Sequence, residues 1–122
     1  MPNPFCHVEL LANDLDAAKD FYSNLFEWEL SDVPMGPAGT NTLVKPGDGT
    51  GGGMMKNPVP GVPTHWLAYV LVDDVAVATA KAESLGATVY QNCVEIPDAG
   101  VFSVIQDPQG AVLAMWEQRG PH

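Results

Sequence analysis

The sequence contains the stretch His7-Val-Glu-Leu-Leu-Ala-Asn-Asp-Leu and, 60 residues further on, Leu67-Ala-Tyr-Val-Leu-Val-Asp-Asp-Val. Each stretch begins with apolar residues typical of a strand and ends in an Asn or Asp pair that can cap a helix. Few residues are identical, but the order of apolar and acidic positions is the same. The pattern predicts two copies of one supersecondary unit.

The residues after each stretch predict one helix and three short strands. Apolar residues recur at three- and four-residue steps from Leu15 to Phe26 and from Val75 to Leu85, and Gly86 suits a helix end. The predicted strands that follow are 28–31, 40–44 and 51–55, and then 88–94, 101–106 and 111–116. The sequence therefore predicts an α+β fold of two tandem βαβββ modules. The run of three strands disfavours the βαββαβ order of a ferredoxin-like domain.

A proline-rich segment separates the two copies. Residues 57–64 read Asn-Pro-Val-Pro-Gly-Val-Pro-Thr, and three prolines so close together make a linker extended and fairly stiff. We therefore predict one domain over 1–122, with module one at 5–56, the linker at 57–64 and module two at 65–117. A chain of 122 residues can bury enough surface to form a core without disulfides or metals.

The charge of the chain argues against two classes of partner. Lys and Arg total 5 and Asp and Glu total 15, so the net charge is −10, which disfavours nucleic acid and anionic membrane surfaces. The longest apolar run, 66–72, is too short to span a membrane. The N-terminal residues lack the pattern of a signal peptide, so we expect a cytoplasmic protein. Cys6 and Cys93 are too few for a disulfide framework, and we expect buried free thiols.

Several motifs occur in a characteristic order along both modules. They are Leu15-Asp-Ala-Ala-Lys-Asp-Phe-Tyr-Ser-Asn-Leu-Phe, Val72-Asp-Asp-Val, Leu85-Gly-Ala and Asp107-Pro-Gln-Gly. Together they resemble the vicinal oxygen chelate superfamily, which includes glyoxalase I, bleomycin-resistance proteins and extradiol dioxygenases. Gly51-Gly-Gly-Met-Met and His65-Trp-Leu-Ala-Tyr are similar to a non-glyoxalase branch. The resemblance implies a glyoxalase/bleomycin-resistance-like fold in which each module forms a half-open β-cup.

The resemblance also implies four metal-ligand positions, one on the first and one on the last strand of each module. On the first strand of module one the ligand position is His7, which can bind a metal. The corresponding position in module two is Leu67, which cannot. Ala114 stands where metal-dependent relatives have Glu, and the matching place in module one falls on Gly53 or Met54. One of four ligand positions is therefore retained.

A catalytic metal typically has three protein ligands, so we predict no metal and no cofactor. His65 is a weak alternative ligand, because it shares strand parity with Leu67 but lies two residues earlier. A set of His7, His65 and Glu9 would need a slip in strand register. Only this alternative set of ligands would allow a divalent metal to bind.

Strand alternation predicts which side chains line the cup: His7, Glu9, Met54, Leu67, Tyr69, Ala114 and Trp116. This lining is apolar and aromatic with a few polar groups, as in many small-molecule sites. We predict a small-molecule-binding protein that lacks the family metal and holds a small organic ligand. The alternative is a metal-dependent lyase or dioxygenase with displaced ligands, acting on a small oxygenated substrate. Whether the chain is an enzyme is left open here.

Two further expectations concern partners. The resemblance implies that half-open cups complete themselves by pairing, often as a two-fold homodimer. Trp28, Trp66 and Trp116 favour a buried partner surface. The charge of −10 is compatible with a cationic ligand, although many proteins are acidic for solubility alone.

Overall fold

The computed structural model describes residues 3–34, 40–59 and 61–119. Positions 1–2, 60 and 120–122 of the predicted linker and termini lie outside these ranges. In chain order the elements are β1 (Phe5–Ala12), α1 (Leu15–Leu25), β2 (Glu29–Pro34), β3 (Thr40–Lys45), β4 (Gly52–Lys56), β5 (His65–Leu71), α2 (Val75–Ser84), β6 (Thr88–Ile96), β7 (Gly100–Gln106) and β8 (Val112–Gln118). This order confirms the predicted α+β fold with βαβββ twice. No helix in the described ranges has the length and apolar character needed to cross a bilayer.

The chain divides into two compact units. The first unit is His7–Leu67, and the second is Ala68–His122 together with Met1–Cys6. The N-terminal residues belong to the second unit through hydrogen bonds to β5. The N–H of Leu71 donates to the carbonyl of Pro4 at 2.9 Å, and the Asn3 side chain donates to the carbonyl of Leu71 at 2.9 Å.

In the first unit the strands lie in the order β2-β3-β4-β1, with β1 parallel to β4 and the other pairs antiparallel. Helix α1 covers one side of these strands. The buried residues of this core are Leu10, Ala12, Val44 and Met54, packed against Leu15, Ala18, Tyr22, Trp28 and Leu30. Burial of each large apolar side chain stabilises the unit by about 1.5–3 kcal/mol. The helix begins after Asp14, whose carboxylate accepts the N–H of Ala17 at 3.0 Å.

The second unit repeats this arrangement with the strand order β5-β8-β7-β6. Strand β5 is parallel to β8, and the remaining pairs are antiparallel. Its core consists of Val75, Val101, Ile105 and Met115, with Val72, Ala78, Ala82, Ala87 and Val89 around them. Asp74 caps α2 by accepting the N–H groups of Ala76 and Val77. Gly86 follows the helix at φ +102°, the left-handed conformation that its sequence position predicts.

A buried chain of hydroxyl groups ties α2 to an irregular part of β6. The N–H of Cys93 donates to Ser103 Oγ at 2.9 Å, and Ser103 and Thr79 are hydrogen-bonded at 2.8 Å. The Thr79 hydroxyl also reaches the carbonyl of Val75. The pairing of β6 with β7 shifts register on either side of Gln91, as in a β-bulge. The bulge therefore lies where the buried hydroxyl of Ser103 accepts a hydrogen bond from the backbone of β6.

The two cysteines are free, but only one is sheltered. Cys6 is half-buried, and its burial raises the pKa of the thiol. Cys93 is exposed, with φ +51°, so the prediction of a buried thiol is wrong at this position. The reason is the bulge, which takes Cys93 out of the regular alternation of the strand.

Glu117 provides a pH-dependent contribution to the stability of the second unit. Its carboxylate accepts the N–H of Val75 at 2.9 Å and a hydrogen bond from Arg119, and these hold the pKa of Glu117 below its ordinary value. The stabilisation is therefore complete above the ordinary carboxyl range and is lost as the pH falls through the lowered pKa. We predict that Glu117→Gln lowers the urea midpoint at about pH 7, and that the gap to wild type closes towards about pH 2.

The exposed Glu83→Gln variant is the control, because it removes an acid from α2 without touching the first turn of that helix. A gap for Glu117→Gln that stays constant across the pH range would contradict this assignment.

Candidate functional site

In the first unit the site is built on the side of the strands that faces away from α1. Leu10 and Ala12 point into the helix-side core, so His7 and Glu9 lie on the opposite side of β1. Glu9 is level with Gly53 of β4, and Gly53 is level with Leu43 of β3. Since residues level with one another project to the same side, His7, Glu9, Gly53 and Leu43 form one surface, called the first face below.

Glu9 is the most deeply buried polar group of the first face, with 3% of the residue exposed. Its Oε1 lies 2.7 Å from His7 Nε2, and the imidazole side chain is 33% exposed. The pair becomes an ion pair whenever His7 is protonated. Within the described residues, Oε2 of Glu9 is buried without a hydrogen-bond partner. The carboxylate is therefore held at one oxygen and unsatisfied at the other.

Gly53 explains how the Glu9 carboxylate fits there. A Cβ at position 53 would lie 2.5 Å from Oε1 and 3.2 Å from Oε2 of Glu9. The carboxylate thus occupies the space that a side chain at position 53 would fill. Glycine is required at position 53 because a Cβ would clash with the carboxylate. Backbone conformation is not the reason, because Gly53 is not in the left-handed region.

In the second unit the corresponding surface is aromatic. Tyr69 is level with Ala114, and Phe102 is level with Trp116. The rings of Tyr69 and Phe102 are 6.1 Å apart at 60°. A Cβ at Gly100 would lie 2.5 Å from the Trp116 ring, so the indole lies directly over that glycine. Tyr69, Phe102, Ala114 and Trp116 are called the second face below.

The structure brings together most of the predicted lining residues within each unit. His7 and Glu9 share the first face, and Tyr69, Ala114 and Trp116 share the second. Leu67 is buried. His65 lies at the start of β5, where its Nδ1 is 2.8 Å from the carbonyl of Pro63.

Met54 is placed differently from the sequence-based expectation. It is level with Leu10, is fully buried, and belongs to the helix-side core. Gly53 therefore corresponds to Ala114, and Met54 corresponds to Met115 of the second core. The repeat distance is 61 residues in the last strand instead of 60, and a shift of one residue moves a side chain to the other side of a sheet.

The residues present do not fit the metal that the superfamily resemblance implies. In the first unit Gly53 supplies no ligand, and His7 Nε2 is engaged by Glu9. In the second unit Ala114 is a buried methyl group at the position where the resemblance implies a carboxylate ligand. The described residues contain no group of three or more His, Cys, Asp or Glu side chains able to hold a metal ion.

Sequence reasoning missed two residues of these faces and one glycine that lies against the second face. Phe102 and Leu43 stand on predicted strands, and cross-strand alternation would have assigned them once the register was known. Gly100 lies outside the predicted strand 101–106, and its contact with Trp116 depends on tertiary packing.

A comparison against protein families agrees with the fold. The model of the Glyoxalase/Bleomycin resistance protein/Dioxygenase superfamily matches residues 5–115. The chain therefore belongs to this superfamily, and the resemblance drawn from the motifs is confirmed.

Three relatives illustrate the range of similarity. CFP32 of Mycobacterium tuberculosis, named as a candidate glyoxylase, is 37% identical over 107 residues, which cover 88% of this chain and 41% of CFP32. The anthracycline biosynthesis protein DnrV of Streptomyces peucetius is 25% identical over 124 residues, covering 90% of this chain and 45% of DnrV. Methylmalonyl-CoA epimerase from Mycobacterium tuberculosis has a TM-score of 0.68 at 17% identity, covering 94% of this chain and 87% of the epimerase chain, and so shows the shared fold. The chain spans less than half the length of CFP32 and DnrV.

Three adjacent glycines of the loop before β4 and of β4 itself are predicted to differ in their tolerance of a methyl group. A Cβ at Gly52 would lie 2.5 Å from the backbone oxygen of Val8, so Gly52→Ala should cost about 1–3 kcal/mol of unfolding free energy. At Gly53 the obstacle is the end of the flexible Glu9 side chain, so Gly53→Ala should cost less and should separate Glu9 from His7. Urea denaturation measures the first effect, and the NMR shifts of the His7 ring report the second.

Gly51→Ala is the matched control, because its Cβ would meet the Val44 oxygen at an ordinary 3.6 Å. Equal destabilisation by Gly52→Ala and Gly53→Ala would show that Glu9 does not lie over Gly53 as described.

Proposed function

We propose that the chain is a small-molecule-binding member of its superfamily that holds an aromatic or apolar organic ligand without the family's metal. The observation that carries the proposal is the second face, where three partly buried rings lie on the same side of the strands as the small residue Ala114. Surfaces of this composition suit organic ligands, because large rings offer apolar area and defined stacking geometry.

The replacement at position 114 determines which ligand chemistry this surface favours. A buried alanine adds a methyl group where a metal-binding relative would have a negative charge. The Trp116 indole N–H donates to the Gln118 side chain at 3.0 Å, so the donor on that ring is already satisfied. The ring surfaces themselves therefore supply the attraction, through burial of apolar area and aromatic contact.

The names of the relatives do not select between binding and catalysis. CFP32 is named for a glyoxylase role and DnrV for anthracycline biosynthesis, and both are more than twice as long as the stretch they share with this chain. The proposal for this chain rests on its own aromatic residues.

A titration with a neutral aromatic probe, 2-naphthol, tests the proposal. We predict that Trp116→Ala weakens 2-naphthol binding about tenfold, which corresponds to about 1.4 kcal/mol. Isothermal titration calorimetry measures the affinity, and urea denaturation checks that each variant is folded. Phe102→Leu should weaken binding to a smaller degree, because it keeps the apolar bulk and removes the ring.

Leu85→Ala serves as the control, since it truncates an exposed apolar side chain of the same unit at the end of α2. Binding that falls equally in Leu85→Ala and Trp116→Ala, or that is unchanged in Trp116→Ala, would contradict the proposed site.

We also propose that the chain forms a homodimer, as the superfamily resemblance leads us to expect. A continuous cluster of five rings in the first unit supports this: Phe21, Tyr22, Phe26, Trp28 and Trp66. Phe21, Phe26 and Trp66 are exposed, and the Trp66 N–H donates to the Tyr22 hydroxyl at 3.3 Å. Contiguous apolar surface of this kind commonly marks a protein interface.

Sedimentation velocity tests the dimer. We predict a dimeric mass for the wild-type protein at about 10 μM, and a shift to monomer in Phe21→Ser, because a polar group in the interface lowers its affinity. Val77→Ser, on the exposed side of α2, is the matched control and should remain dimeric. A wild-type protein that sediments as a monomer overturns the proposal.

A further inference from the structure

The Glu9 carboxylate retains hydrogen-bonding capacity that the described protein does not use. Its Oε1 is engaged by His7 at 2.7 Å, whereas its Oε2 is buried and unpartnered among the described residues. A carboxylate accepts several hydrogen bonds, and leaving a buried acceptor unsatisfied costs free energy. A buried acceptor that lacks a hydrogen-bond partner in a native protein needs an explanation, and a ligand that donates to it is one explanation.

The neighbours of the carboxylate on the first face are small and apolar. Gly53 contributes no side chain, and Leu43, the next residue at the same level, is 40% exposed. One polar acceptor therefore lies over a glycine and on the same face as an exposed aliphatic side chain. This combination suits a ligand with one polar head and an apolar body.

The imidazole of His7 is the solvent-exposed member of the pair, so a ligand would approach the carboxylate beside it. His7 is one-third exposed, so the His7–Glu9 pair extends from the buried oxygen to solvent. The terminal torsion of a glutamate is broad, and rotation about it turns Oε2 towards an arriving donor without moving the strand.

The charge of the site favours a cationic donor. In the described part of the chain Glu9 forms no ion pair with Lys or Arg, and its partner is His7. A hydrogen bond from a charged donor to a carboxylate is about twice as strong as one between neutral groups. The chain also carries a net charge of −10, which attracts cations from solution.

We propose that Glu9 binds the ammonium group of a small organic amine, with the apolar part of that amine lying against Leu43. The proposal concerns the first face alone and rests on the buried carboxylate oxygen. It is independent of the aromatic ligand proposed for the second face, so either site can fail without the other.

Three probes with one ring and three head groups test this proposal: benzylammonium, benzyl alcohol and benzoate. We expect benzylammonium to bind wild-type protein about tenfold more tightly than benzyl alcohol, and benzoate to bind most weakly. In Glu9→Gln the ammonium preference should fall to about twofold or less, while benzyl alcohol binding changes little. Isothermal titration calorimetry gives the affinities.

Glu29→Gln is the matched control, because it removes the same charge from an exposed position of the same unit. The ammonium preference should persist in this variant. Loss of the preference in both variants would assign it to overall charge and overturn the proposal, as would a preference that survives in Glu9→Gln.

A measurement on wild-type protein keeps the test independent of how the Glu9 variant folds. With 13C-labelled glutamate, the Glu9 carboxyl resonance should shift on addition of benzylammonium and stay in place on addition of 2-naphthol. If the three probes bind without discrimination and the Glu9 resonance does not move, the unpartnered oxygen accommodates water only, and the proposal is wrong.

Discussion

Parallel pairing of the first and last strands determines what each unit can present on its open surface. Strand β1 pairs with β4 and β5 pairs with β8, so residues at matched levels project together. In each unit the helix covers one side of the strands. In the first unit the core on that side includes Leu10 and Met54, and in the second it includes Met115. Outside the bulged part of β6, alternation then assigns the residues of the other side. The composition of the first and second faces follows from this single constraint.

The two units use equivalent positions for different chemistry. Gly53 and Ala114 occupy the same place in the two parallel pairs, and neither carries a ligand atom in its side chain. In the first unit the freed space accommodates the Glu9 carboxylate, which holds His7. In the second unit the rings of Tyr69, Phe102 and Trp116 lie on the same side of the strands as the small residue. An internal repeat has thus produced one polar surface and one aromatic surface.

Much of this arrangement is readable from the sequence, and the exceptions have physical causes. The helices, their Asp caps and the order of strands follow from apolar spacing and turn residues. The side of the sheet on which Met54 lies could not be predicted. Three glycines precede it, and because they carry no hydrophobic pattern, the register of β4 could not be fixed to within one residue. The bulge at Cys93 depends on a hydroxyl ten residues away, and the contact of Trp116 with Gly100 depends on packing between strands. Such contacts have no local signature.

We propose that the His7–Glu9 pair and the small residues Gly53 and Ala114 leave this superfamily member without a metal site. Elemental analysis of protein purified without chelator tests it most directly, combined with thermal denaturation in the presence of Ni²⁺, Zn²⁺, Mn²⁺ and Fe²⁺. We expect less than about 0.1 mole of metal per mole of protein and a change in Tm of under about 1 °C. About one mole of metal per mole, with a large rise in Tm that His7→Ala abolishes, would contradict the claim and favour a metal-dependent lyase or dioxygenase.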